Sequence, residues 1–194
     1  MSWGKFIATA GLFGAYIVKD TIPDEKIEIL RDNCNNLRDR AMIDFLLSTG
    51  IRVGELVRLN IDDIDFSERE CVVYGKGDKE RKAYFDAKTK IHLLNYIESR
   101  TDNNIALFVS LNKPHSRLTE SGVELRLREM GKKLGVEKVH PHKFRRTMAT
   151  RAIEKGMPIE QVQKILGHEQ IDTTLRYAMV NQNNVKLSHR KYIS

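Results

Sequence analysis

Residues 139–177 read VHPHKFRRTMATRAIEKGMPIEQVQKILGHEQIDTTLRY, and the rest of the chain is organised around them. The stretch carries three histidines (His140, His142 and His168), four arginines and, at its end, Tyr177. Gly156 with Pro158, and then Gly167, divide it into what the spacing predicts as three short helices. Wound at 3.6 residues per turn, Phe144 to Ile153 put Phe144, Met148, Ala149, Ala152 and Ile153 on one face. Arg145 falls in the middle of that face, where a leucine is expected. A buried guanidinium is costly unless something anionic satisfies it, so the pattern predicts that Arg145 serves an anion.

The 194 residues are enough for one domain of ordinary size, or one domain and a tail. A net charge of +7 suits a polyanionic partner such as nucleic acid. Because 26 acidic residues stand against 33 basic ones, that basicity has to be clustered to matter. Two cysteines, Cys34 and Cys71, make neither a disulfide framework nor a metal site, and read as ordinary reduced thiols of a cytoplasmic protein. Phe6 to Val18 is apolar, but it is too short to span a bilayer and is broken by Gly11 and Gly14. No small-residue cleavage site follows it. Residues 1–20 are therefore expected to be a leader or the remnant of a linker, with no membrane partner.

Upstream of the opening stretch the elements can be taken in order. Pro23 with Asp24 and Glu25 starts a short helix to about Asn33. Asn35 or Asn36 caps a longer one, with Leu37, Ala41, Phe45 and Leu46 at helical spacing and Gly50 as its C-cap. A third helix follows, with Val53, Leu56 and Val57 inward. Arg52 sits in its first turn, where a cation is mildly unfavourable. Ile64–Phe66, Glu70–Tyr74 and Arg81–Phe85 read as strands, the last two joined by a glycine-bounded turn that presents Lys76 and Lys79. A helix from Ala87 to Arg100 buries either Ile91, Leu94 and Ile97 or Leu93 and Tyr96. Ile105–Val109 is extended. Thr119 caps a helix to about Leu134, with Val123, Leu127, Met130 and Leu134 on one face and Arg126, Arg128, Lys132 and Lys133 on a basic one. Beyond the Gly167 cap, Asp172 or Thr173 starts a last helix holding Leu175, Tyr177 and Ala178.

Three histidines raise the question of zinc, but their arrangement matches the familiar zinc spacings poorly. There is no Gly-x-Ser-x-Gly elbow to mark a serine nucleophile. Phosphate chemistry without a metal fits better. Fixed cations hold a phosphate and stabilise the charge of its transition state, histidines move or donate protons, and Tyr177 is available as a nucleophile. A tyrosine with its ordinary pKa of about 10 needs cations and a base nearby for that task. Taken singly, Tyr177 reads as no more than a partly buried tyrosine.

Together these residues resemble the catalytic domain of the tyrosine recombinases, the phage-integrase group that includes Xer-type recombinases and transposon integrases. Thr49-Gly-Ile-Arg-Val-Gly-Glu-Leu56 resembles the first-arginine motif, Gly75-Lys76-Gly77 the hairpin lysine, and His142-Lys-Phe-Arg145 the His-x-x-Arg motif. Leu166-Gly-His168, followed by Thr173-Thr174-x-x-Tyr177, resembles the closing motif with its nucleophile. The match spans about Ile22 to Met179, in order and spacing. The resemblance implies a mostly helical α+β fold, the tyrosine recombinase catalytic domain with a small antiparallel β-sheet. It implies that Arg52 and Arg145 clamp a scissile DNA phosphate and that Tyr177 attacks it, leaving a 3′-phosphotyrosyl bond and a free 5′-hydroxyl. Lys76 then protonates that hydroxyl, His142 assists proton transfer, His168 binds the phosphate, and Glu55 braces the arginine region. No metal or other cofactor is implied. The implied partners are double-stranded DNA and further copies of the chain, assembled as a synaptic tetramer during integration, excision or resolution of a mobile element.

Departures from the family pattern accompany the match. Such integrases usually carry a helical core-binding domain first, whereas residues 1–20 alone precede the matched region, so the chain is expected to be an excised catalytic domain or a natural truncation. Arg146 stands where many relatives have a second histidine. The expected organisation is a leader over 1–20, a catalytic domain over 21–180 and a tail over 181–194. Val185 to Ile193 of that tail either pass to a neighbouring subunit or fold back in cis. The rival activities are relaxation of DNA in the manner of a type IB topoisomerase and a silent DNA-binding regulator.

Overall fold

The computed structural model describes residues 21–75 and 80–168, together with Thr174 and Arg190. Seven helices and three strands lie within them in the order α1 (Asp24–Asp32), α2 (Leu37–Thr49), α3 (Val53–Arg58), β1 (Ile64–Asp65), β2 (Glu70–Tyr74), β3 (Glu80–Tyr84), α4 (Ala87–Glu98), α5 (Glu120–Lys133), α6 (Pro141–Glu154) and α7 (Ile159–Leu166). The strands form one antiparallel sheet in the order β1-β2-β3, with Cys71 opposite Ala83 and Val73 opposite Arg81. The architecture is the mostly helical α+β fold with a small antiparallel sheet that the sequence leads one to expect.

Helix α2 is the post of the structure. Asn36 caps it by accepting from the Asp39 N–H at 2.8 Å, and Gly50 closes it in the left-handed conformation, its N–H on the Leu46 carbonyl at 3.0 Å. Between the caps Ala41, Met42, Ile43, Phe45, Leu46 and Leu47 are all buried, so the helix is enclosed nearly all round. Phe45 meets Phe85 and Phe108 in tilted and edge-on contacts. The charges that α2 buries are paired. Asp39 takes Arg38 at 2.7 Å and Arg126 at 2.6 Å, and Asp44 takes Arg31 and His92, each at 2.5 Å. Unpaired, such groups are among the costliest things a core can hold.

Several sequence expectations are corrected by this packing. Leu37 is 44% exposed and not part of the core face, because it occupies the first helical position, ahead of the buried turns. Arg126 does not belong to a solvated basic face; the buried Asp39 carboxylate draws it in. On α4 the buried pair is Leu93 and Tyr96, while Ile91 faces solvent. Ile105–Val109 is extended, tied by single bridges from Ala106 to Asn60 and from Val109 to Arg117, and Ile105 itself is exposed. Helix α6 begins at Pro141, since proline at the first helical position costs no hydrogen bond. Cys34 and Cys71 are free, and burial pushes both thiols up to about 12.

The leader over 1–20, the turn residues Lys76 to Lys79, the last helix with Leu175, Tyr177 and Ala178, and the tail except Arg190 lie outside the described residues. Thr174 is helical and fully buried. Among the described residues no helix is long and apolar enough to cross a membrane.

Truncating Phe45 removes a fully buried ring from the main core. Phe45→Ala is expected to lose about 3–5 kcal/mol of unfolding free energy, whereas Leu37→Ala changes it by no more than about 0.5 kcal/mol. Urea unfolding of the two variants checks the contrast, and a large loss at Leu37 would contradict its exposed position.

Candidate active site

The site is assembled at the C-terminal end of α7. Gly167 ends that helix at a left-handed φ of 61°, with its N–H on the Lys164 carbonyl at 3.1 Å and the His168 N–H on the Gln163 carbonyl at 3.2 Å. The last carbonyls of a helix have no partner within it. Here the next three in sequence each accept from a different arginine. Ile165 O takes Arg81 Nη1 at 2.6 Å, Leu166 O takes Arg145 Nη2 at 2.5 Å, and Gly167 O takes Arg52 Nη2 at 3.3 Å. A helix C-terminus carries partial negative charge, which favours cations in this place.

Arg145 lies on the inward face of α6 and is 3% exposed, as its position among apolar residues implies. Its Nη1 donates to the Gly50 carbonyl at 2.6 Å. The ends of α2 and α7 thus converge on one guanidinium, and carbonyl dipoles meet a cost that the sequence pattern assigns to an anion. Arg52 occupies the N-cap of α3, the unfavourable end for a cation. Glu55 compensates: its carboxylate accepts the Arg52 N–H at 2.8 Å and Arg52 Nη1 at 3.0 Å. Glu55 is itself buried, at 4% exposure, and also accepts Arg81 Nη2 at 2.6 Å. It braces the arginines, in agreement with the sequence expectation. The Arg52 side chain remains 40% exposed.

His168 follows directly on the α7 cap, with Nδ1 2.9 Å from the Thr174 hydroxyl. Burial, and then the charges of Arg145, Arg52 and Arg81, push its pKa down to about 4. Burial first and the arginine charges second thus favour the uncharged ring at neutral pH, and those charges also draw anions in. The structure brings together Arg52, Arg145 and His168 from positions spread over more than a hundred residues. His142 is exposed in the first turn of α6, and among the described residues no hydrogen bond ties its ring to the three arginines. Lys76 and Tyr177 lie outside the described residues.

Sequence reasoning passed over Arg81, although a signal for it exists. Strand alternation puts Arg81 on the same face as the buried Ala83, so it is a charge at an inward position, as Arg145 is. Among the described residues no group of three or more His, Cys, Asp or Glu side chains is placed to hold a metal ion.

Residues 21–184 match the phage integrase family, and the chain belongs to that family. Tyrosine recombinase XerC of Staphylococcus aureus is 37% identical over 173 residues, covering 84% of this chain and 57% of the relative. The chain thus spans little more than half the length of the curated relatives it matches. The crystal structure of XerA recombinase superposes with a TM-score of 0.77 at 32% identity, over 89% of this chain and 65% of that one. The Tn1549 transposon integrase, solved in complex with transposon right end DNA, shares the fold with a TM-score of 0.77 at 20% identity, over 94% of this chain and 69% of that one.

Because the folded pKa of His168 lies below the ordinary value, acidification works against the native state. Stability is intact above pH 6.5 and is lost as pH falls from there toward about 4. Titration of the His168 ring followed by NMR in the DNA-free protein is expected to have its midpoint near pH 4. A midpoint near 6.5 would contradict both the burial of the ring and the arginine charges beside it.

Proposed function

We propose that this chain is the catalytic portion of a site-specific DNA recombinase that cuts and rejoins strands through a 3′-phosphotyrosyl intermediate. The observation that carries the proposal is the convergence of Arg52, Arg81 and Arg145 on one helix end beside a neutral His168. Three guanidinium charges against the single carboxylate of Glu55 leave the site positive. Arg52 and Arg145 are assigned to the non-bridging oxygens of the scissile phosphate. Their planar donors match that geometry and stay charged in a dry site. Each fixed donor aimed at charge that builds in the transition state is worth about 3–4 kcal/mol.

In the proposed step the Tyr177 oxygen bonds to phosphorus as its proton passes to His142, and the bond from phosphorus to the 5′-oxygen breaks. Lys76 supplies the proton to that oxygen. His168, uncharged, hydrogen-bonds the phosphate, and His142 assists proton transfer. Tyr177, Lys76 and His142 are assigned from their motifs. The ester energy is kept in the protein–DNA bond, so a 5′-hydroxyl of a second duplex reverses the step and exchanges strands without ATP or a metal ion. The partners proposed are double-stranded DNA and three further copies of the chain in a synaptic complex. The proposed organisation is a leader over 1–20, a catalytic domain over 21–180 and a tail over 181–194, acting in the cytoplasm.

A pool of nicked duplexes of random sequence, in which the cleaved end diffuses away, traps the intermediate. The expected product is a protein–DNA adduct that survives denaturant, forms in the presence of EDTA, and is absent in Tyr177→Phe. Arg52→Ala should lower its rate by about 100-fold or more with far-UV circular dichroism unchanged, because that side chain is 40% exposed. An adduct that needs magnesium would overturn the metal-free step, and one that persists in Tyr177→Phe would overturn the nucleophile.

A further inference from the structure

Arg81 lies outside the motifs quoted above and adds its charge to the site without taking a step of the chemistry, yet its contacts are as tight as those of Arg145. Its side chain is 11% exposed, against 40% for Arg52. Both terminal nitrogens are committed to protein acceptors, Nη1 to the Ile165 carbonyl at 2.6 Å and Nη2 to Glu55 Oε2 at 2.6 Å. Arg145 is held by two backbone carbonyls, whereas Arg81 is both buried and bonded to the Glu55 carboxylate, so its charge is met within the protein. It spans α3 and the end of α7, which carry Arg52 and His168, the residues assigned to the phosphate.

We propose that Arg81 is a positioning residue of the candidate active site: its guanidinium clamps the C-terminal turn of α7 to Glu55 and so holds His168 and Arg52 at the spacing at which both meet one phosphate. The proposal rests on the recombinase reading given above. Three features of the geometry carry it. The first is the sharing of Glu55, whose Oε2 accepts both Arg81 Nη2 and the Arg52 N–H while Oε1 accepts Arg52 Nη1. A shift of Arg81 therefore moves the carboxylate that aims Arg52. The second is the grip on α7. A methyl group added to Gly167 would stand 2.6 Å from Arg81 Cδ and 2.8 Å from Nε, so the arginine stem lies against the backbone of the residue that precedes His168. Gly167 is thus required twice, by its positive φ and by this approach. The third is that Arg81 Nε is buried without a hydrogen-bond partner among the described residues, a cost kept in place by the two bonds beyond it. A lysine here has one compact ammonium and cannot reach both acceptors in the fixed fork of a guanidinium.

Arg81→Met keeps the length and loses the fork. In the folded variant, the His168 titration is expected to move up from about 4, because the Arg81 charge is one of those that depress it and the clamp that keeps the ring among them is lost. The single-turnover rate of adduct formation on the nicked pool should fall by about 100-fold, as for a small misplacement of reacting groups, with DNA affinity within about 2-fold. A merely structural arginine would lower the melting temperature without splitting rate from affinity. An unmoved His168 titration overturns the proposal, and so does an unchanged rate in a protein whose unaltered form reacts. If the unaltered chain makes no adduct at all, the recombinase reading fails, and the titration alone decides whether Arg81 sets the surroundings of His168. Should Arg81→Met not fold, Arg81→Lys carries the test. A rate lowered by about 10-fold with fold and affinity kept supports the clamp, and an undiminished rate refutes it.

Discussion

Three consecutive backbone carbonyls, Ile165, Leu166 and Gly167, each hold one guanidinium, and the site exists because they do. Brought together without partners, three arginines would repel one another. At the end of a helix the unsatisfied carbonyls and the negative pole of the dipole receive them, and the buried Glu55 carboxylate ties two of them together. The dependence is mutual. With only eight residues, α7 is too short to be stable by itself, and the arginines give its last turn its tertiary anchors. Gln163 and Lys164, whose carbonyls would otherwise also be open, are closed by the Gly167 cap. Every carbonyl from Gln163 to Gly167 is thereby accounted for.

The same logic extends to α2. Its C-cap carbonyl at Gly50 faces Arg145 from the other side, so the central helix of the core ends at the site and fixes its floor. The polar groups that α2 buries, Asp39 and Asp44, are matched by arginines and a histidine from α1, α4 and α5. Those pairings lock the surrounding helices to the post. Core and site are not separate constructions: the residue after α2's last turn is also a ligand of the buried arginine.

The caps were legible in the sequence, because a cap is a local event. Asn36, Gly50, Thr119 and Gly167 all end or begin helices where their side chains or their freedom at positive φ predict it. The anomaly of Arg145 was legible too, since helical winding alone places it among apolar neighbours. What satisfies it was not, because carbonyls from residues 50 and 166 leave no mark in a local pattern. Leu37 and Arg126 misled, and the buried face of α4 stayed open, for a related reason. Period says which residues share a face, but not which face finds a neighbour. Arg81 went unremarked because a strand of five residues shows its alternation only faintly beside a turn rich in charge.

By itself, then, the sequence determined the class of fold, the ends of most helices, and a set of motifs whose joint order marks the phage integrase family. These depend on spacing and on local backbone chemistry, which travel with the chain. Only the tertiary structure decided that Arg52, Arg81 and Arg145 share one helix end, that Glu55 joins two of them, and that His168 is held neutral beside them. Those facts depend on electrostatic fields and on open carbonyls brought together by folding, and such forces act across space regardless of separation along the chain.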